Sequence, residues 1–124
     1  MVEPSIFELM VNYSSLERND VVLDIGAGLG FLTRSLANRC KNVLAVDADA
    51  RLVEVLHEQL KDLSNAQVIK GDILKTDVSF FNKVVSIPPY HISSALLLWL
   101  FSKNFDCAVL ILSLIHISEP TRPY

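Results

Sequence analysis

VVLDIGAGLGFLTRSLA, residues 21–37, decides how this chain is read. VVLDI is β-branched and almost wholly apolar, without polar alternation, the pattern of a strand covered on both faces. The glycines of GAGLG break it. FLTRSLANR (31–39) then resumes at helical spacing, with Leu32, Leu36 and Phe31 expected inward. Strand, glycine turn and helix open a βαβ unit.

The same alternation continues on both sides. Downstream, NVLAVD (42–47) reads as a second strand, and residues 52–63 as an amphipathic helix with Leu52, Val55, Leu56, Leu60 and Leu63 on one stripe. AQVIK (66–70) is a third strand, GDILKTD a loop, NKVVS (82–86) a fourth strand and CAVLI (107–111) a fifth. Between the last two, Ser93 or Ser94 caps a helix running through Leu98. Upstream, residues 6–16 read as a helix with Pro4 near its start. The expected fold is α/β: a Rossmann-like core whose parallel sheet carries helices on both faces.

Composition narrows the class. With 124 residues, 51% hydrophobic, and a formal charge of −3, the chain suits one small domain. No run approaches the roughly 20 apolar residues of a membrane helix; the longest, 95–101, reads as a buried helix segment. The N-terminus lacks a basic stretch followed by an apolar core, so a secretory signal is not expected and a cytoplasmic location is. Cys40 and Cys107 stand alone and read as buried thiols rather than metal ligands. The mild acidity leaves no broad electrostatic footprint for nucleic acid, so an RNA-binding surface must be local or lie elsewhere.

Ligands of such sheets bind at the carboxyl ends of the strands, where the unusual residues fall. In Asp24-Ile25-Gly26-Ala27-Gly28-Leu29-Gly30, a dinucleotide fingerprint would need a further glycine at position 31, which is Phe31. G-x-G-x-G with an acid two residues upstream suits S-adenosyl-L-methionine (SAM), with Asp24 near its cationic methionine end. Asp47 ends the second strand, where a carboxylate accepts from ribose hydroxyls. Asp49 reads as a helix cap. Asp72, after the third strand, is placed to accept from the adenine amine; alone, Gly71-Asp72 would be a plain turn. Ile73 and Ile87 are expected to line the same site.

The fourth strand ends in Ile87-Pro88-Pro89-Tyr90. An exocyclic adenine amine is a poor nucleophile. A site methylating it must hold it in line and accept its hydrogen bonds as the nitrogen turns tetrahedral. Carbonyls stiffened by Pro88 and Pro89 provide acceptors, and Tyr90 offers a ring to stack on a flipped base. His57 is expected on an exposed helix face and His91 on the loop surface.

VVLDIGAGLGFLTRSLA, VLAVDAD, VIKGDIL and VVSIPPYHISS, in that order, resemble the class I SAM-dependent methyltransferases. More closely they resemble the KsgA-type ribosomal RNA adenine dimethyltransferases, in an archaeal form, over residues 5–111. The resemblance implies methyl transfer from SAM to N6 of adenines in small-subunit ribosomal RNA, by a monomer acting on that RNA or the pre-ribosomal small subunit, with no metal and no membrane. Gly26, Gly28 and Gly30 would line the cofactor, Asp47 its ribose and Asp72 its adenine, while Pro88, Pro89 and Tyr90 hold the target base. Three departures stand beside it. Ile87 occupies the family's Asn position. The family's lid segment is not found before Ile6. Beyond residue 111 the sequence reads LSLIHISEPTRPY, where the family continues with further strands and a helical domain.

One reading frame of a common transposase sequencing adapter translates to LSLIHISEPTR. The expected organisation is therefore a partial methyltransferase domain over 1–111, incomplete on its C-terminal side, and a non-native tail over 112–124. Two other readings remain open: a methyltransferase for another planar amine, such as DNA adenine or a glutamine amide, and an inactive fragment that keeps only the fold. A nicotinamide dehydrogenase is disfavoured by Phe31.

Overall fold

Strands β1 (Val21–Ile25), β2 (Asn42–Asp47), β3 (Ala66–Lys70), β4 (Lys83–Ser86) and β5 (Cys107–Leu110) form one sheet in the order β3-β2-β1-β4-β5. All four pairings are parallel. Helices α1 (Pro4–Ser14), α2 (Phe31–Ala37), α3 (Ala50–Leu60) and α4 (Ser93–Phe101) alternate with them, except that β3 runs to β4 through a loop without a helix. The structure, a computed structural model, describes residues 4–87, 93–103, 105 and 107–110. The expected parallel α/β core is what these residues build. No helix among them is long and apolar enough to cross a membrane.

The sheet divides its apolar side chains between two layers by the two-residue period of a strand. Val22, Val43 and Val85 pack with Met10 and Val11 of α1 and Leu32 and Leu36 of α2. Leu23, Ile25, Leu44, Val46 and Val84 face the other way, onto Leu96 and Leu100 of α4. Both faces being covered explains why β1 and β2 read as unbroken apolar runs.

Helix ends depart from the sequence reading for local reasons. Pro4 is the first residue of α1, a position that needs no amide hydrogen. α3 begins at Ala50 because the Asp49 side chain accepts from the Arg51 amide at 2.9 Å, the expected cap. Val53, Leu56 and Leu60 form the buried stripe of α3, and Val55 is only half-buried. Phe31, expected inward, is 60% exposed, because Leu32 and Leu36 already occupy the inner face of the short α2. α4 runs beyond Leu98 to Phe101, and its stretch is not wholly buried: Leu97 and Leu98 are exposed.

At the amino ends of the strands, Asp20 and Lys83 form a buried ion pair at 2.8 Å. Lys83 Nζ also donates to the Ser15 carbonyl, and Asn82 Nδ2 donates to the other Asp20 oxygen. The Asn82 side-chain oxygen Oδ1 in turn accepts from the Val21 amide at 2.7 Å. This network ties the starts of β1 and β4 together, at the end of the sheet away from the glycine loop.

Candidate active site

The site forms where β1 and β2 hand over to their helices. Gly26 donates its amide to Val46 O at 2.7 Å, so the chain leaves β1 still attached to β2. Gly28 has φ 61, in the left-handed region that side chains disfavour, and its amide donates to Asp47 Oδ2 at 3.0 Å. At Gly30 (φ 87), a Cβ would sit 3.2 Å from Leu56 Cδ2 and 3.4 Å from Leu60 Cδ2. The loop therefore lies directly on α3, and glycine is what permits that approach.

Asp47 is buried, and both carboxylate oxygens are engaged: Oδ2 by Gly28 and Oδ1 by the Asp49 amide at 3.0 Å. Each oxygen keeps a further acceptor direction. Asp47 borders a cleft of about 490 Å³. Gly26, Gly28, Asp72, Ile73 and Ile87 line the same cleft. Asp72 is exposed. Its Oδ1 accepts from the Leu74 amide at 2.9 Å, and its carbonyl accepts from Thr76 Oγ1. It thus closes a turn and walls the cleft at once. Asp24 and Gly30 border an adjoining cavity of about 210 Å³, which shares Gly26 and Ile87 with the larger one. Pro88, Pro89, Tyr90 and His91 lie outside the described residues.

Asp24 is 1% exposed, and its Oδ2 accepts from Thr33 Oγ1 at 2.7 Å. Burial pushes its carboxyl up to about 7; the Thr33 and Ser86 hydroxyls oppose that rise, while the Asp47 charge adds to it. Near neutral pH this acid is poised between its two forms, and a cation placed nearby would drive it to the carboxylate.

Sequence reasoning did not find Thr33 or the linkage made by Ser86. Thr33 carried a faint signal, a polar residue between the buried Leu32 and Leu36 of one helix. The cleft joins carboxylate acceptors to apolar walls from Val46, Leu52, Ile73 and Ile87. A nucleoside needs that combination, acceptors for its hydroxyls and amine and an apolar slot for its base. Glycines at positive φ beside Asp47 leave room for a ligand to approach the backbone.

Comparison with known proteins follows the same line. Residues 1–117 match the family model for ribosomal RNA adenine dimethylase. The "Probable ribosomal RNA small subunit methyltransferase A" of Methanopyrus kandleri is 41% identical over 111 residues, covering 89% of this chain and 40% of the relative. The protein of that name from Thermococcus onnurineus is 43% identical over 114 residues, covering 92% and 42%. Among solved structures, a dimethyladenosine transferase from Plasmodium falciparum superposes with a TM-score of 0.83 at 31% identity, covering 93% of this chain and 43% of that one. The 23S rRNA methyltransferase ErmE superposes with a TM-score of 0.84 at 28% identity, covering 100% and 52%. The chain thus spans about two fifths of the curated relatives it matches.

Proposed function

The chain belongs to the ribosomal RNA adenine dimethylase family, and from that premise we propose that it is the cofactor-binding core of a SAM-dependent adenine N6-methyltransferase for small-subunit ribosomal RNA. One observation carries the reading. Asp47 binds the Gly28 amide while facing a cleft that Asp72 and Ile73 also line, so acceptors for a ribose and an adenine amine stand at adjacent strand ends.

In this reading SAM, when bound, supplies a methyl group made electrophilic by the sulfonium. Gly26 and Gly28 let it approach the backbone, and Asp47 accepts from its ribose hydroxyls. Asp72 and Ile73 receive its adenine, Asp24 offsets its positive charge, and Ile87 walls the side nearer β4. Pro88, Pro89 and Tyr90 hold the target adenine, with backbone carbonyls accepting from its amine. No strong base is needed, because the proton leaves once the nitrogen is cationic. The enzyme works as a monomer in the cytoplasm on the RNA of the small subunit or its precursor. Residues 112–124 are, on this proposal, translated adapter, and native coding sequence continuing in frame through codon 111 of the source gene would refute that.

Titrating SAM into the chain by calorimetry, with Asp47→Ala as control, tests the cofactor site. Methyl acceptance by small-subunit RNA, set against duplex DNA, tests the substrate. Binding lost in the variant supports the reading, and no binding by the folded chain overturns it for this polypeptide.

Ile87 favours a second reading. Its apolar side chain lines the cleft where a family member would present the Asn amide, so cofactor binding without turnover is the expected behaviour if backbone carbonyls do not suffice. Ile87→Asn then raises methyl transfer from background. Activity already present in the unaltered chain removes this second reading.

A further inference from the structure

The seam between β1 and β4 opens early. β1 pairs with β2 through Ile25↔Val46, and β4 pairs with β5 through Ser86↔Leu110, yet the β1–β4 ladder stops at Leu23↔Val84. Carried two residues on, that register sets Ile25 opposite Ser86. There the Ser86 hydroxyl takes over from the backbone. Its oxygen accepts from the Ile25 amide at 2.9 Å, and its single proton is shared between the Ile25 carbonyl and the Asp24 carboxyl. A single side chain thus satisfies the donor and acceptor that a ladder would have satisfied, in a place where Ser86 is wholly buried and Ile25 is 2% exposed.

This seam lies where the sheet order turns, between β1 and β4, and such a switch point is where open α/β sheets hold ligands. The residues just beyond it, Gly26 and Ile87, are the two among the described residues that border both cavities. We infer that Ser86 is a positioning residue, its hydroxyl spacing the diverging ends of β1 and β4 so that Gly26 and Ile87 are held at a set separation across the mouth of the cleft. The inference deepens the methyltransferase reading and rests on it only for what the cleft binds. A backbone ladder in the same place would draw the two ends together. An apolar residue would leave a buried amide and carbonyl unpaired, and the ends free to shift.

The test uses the full chain with Ser86→Ala and Ser86→Thr, read by amide hydrogen exchange and by SAM titration. In Ser86→Ala the Ile25 amide exchanges on the order of tenfold faster, while amides of β2, held in unbroken ladders, stay within about twofold. SAM affinity falls by about tenfold, and Ser86→Thr, which retains the hydroxyl, recovers most of both. A general loss of stability would instead speed exchange across the whole sheet. If Ser86→Ala does not fold, Ser86→Cys keeps a weak donor and acceptor and gives an intermediate Ile25 rate. Unchanged Ile25 exchange, a uniform rise across the sheet, or no recovery by threonine overturns the inference. A wild-type chain that shows the Ile25 response in its variants yet binds no SAM refutes the cofactor reading and supports the seam assignment.

Discussion

Asp47 accepts the Gly28 amide at 3.0 Å, so the carboxylate that closes β2 also shapes the loop that follows β1. The residue expected to grip a ribose is therefore part of the scaffold as well.

Asp47→Ala should consequently do two things. It removes acceptors from the amides of Gly28 and Asp49, costing about 1–3 kcal/mol of stability, and it abolishes SAM binding. Asp47→Asn retains one acceptor oxygen and loses less stability, but still weakens the cofactor. Denaturant melts and calorimetry on both variants separate the two effects. Equal stability of Asp47→Ala and wild type would contradict the scaffold role.

Asp24 makes the protein sensitive to pH near neutrality. Its folded-state value of about 7 lies above the ordinary aspartate value near 3.9. Between those limits the native state holds a proton that the unfolded chain has lost, so the Asp24 contribution to stability falls as pH rises from about 4 to about 7 and is level above. A cation beside it favours the carboxylate, so SAM affinity should rise between about pH 6 and pH 8, with proton release on binding. Calorimetry in buffers of different ionisation enthalpy measures that release. Asp24→Asn should flatten both profiles, and a slope that survives the substitution excludes Asp24 as its source.

Gly30→Ala should destabilise the fold by about 1–3 kcal/mol. The new Cβ adopts a disfavoured φ of 87 and presses on Leu56 and Leu60 of α3. Thermal unfolding is the measurement, and a melting temperature equal to wild type would refute the close approach of loop and helix.

Lys83→Ala should cost about 3–5 kcal/mol, because it leaves Asp20 charged and buried. Burial opposes the Asp20 charge, but the Lys83 and Asn82 hydrogen bonds and the Glu17 amide outweigh it and hold this carboxyl below its ordinary value. That stabilisation is present above the unfolded value near 3.9 and is lost as pH falls below it. The network sits at the far end of the sheet, so at a temperature where Lys83→Ala remains folded its SAM affinity should match wild type. A large affinity loss in a folded variant would disprove that separation.

The sequence by itself determined where the strands lie and where the chemistry collects. Val21–Ile25, Asn42–Asp47 and Ala66–Lys70 were legible to the residue, because strands buried in a parallel sheet announce themselves as apolar runs and glycines or acids punctuate their ends. The helix at Ala50 was less sharply bounded, since its start depends on the Asp49 cap rather than on its apolar stripe. Tertiary structure alone decided that β1 lies beside β4, that Ser86 meets Ile25 there, and that burial pushes the Asp24 carboxyl up to about 7. Periodicity reports how each residue meets its own layer. Strand order, and the dielectric around a buried carboxyl, arise only when segments some 60 residues apart, Ile25 and Ser86 among them, are brought into contact.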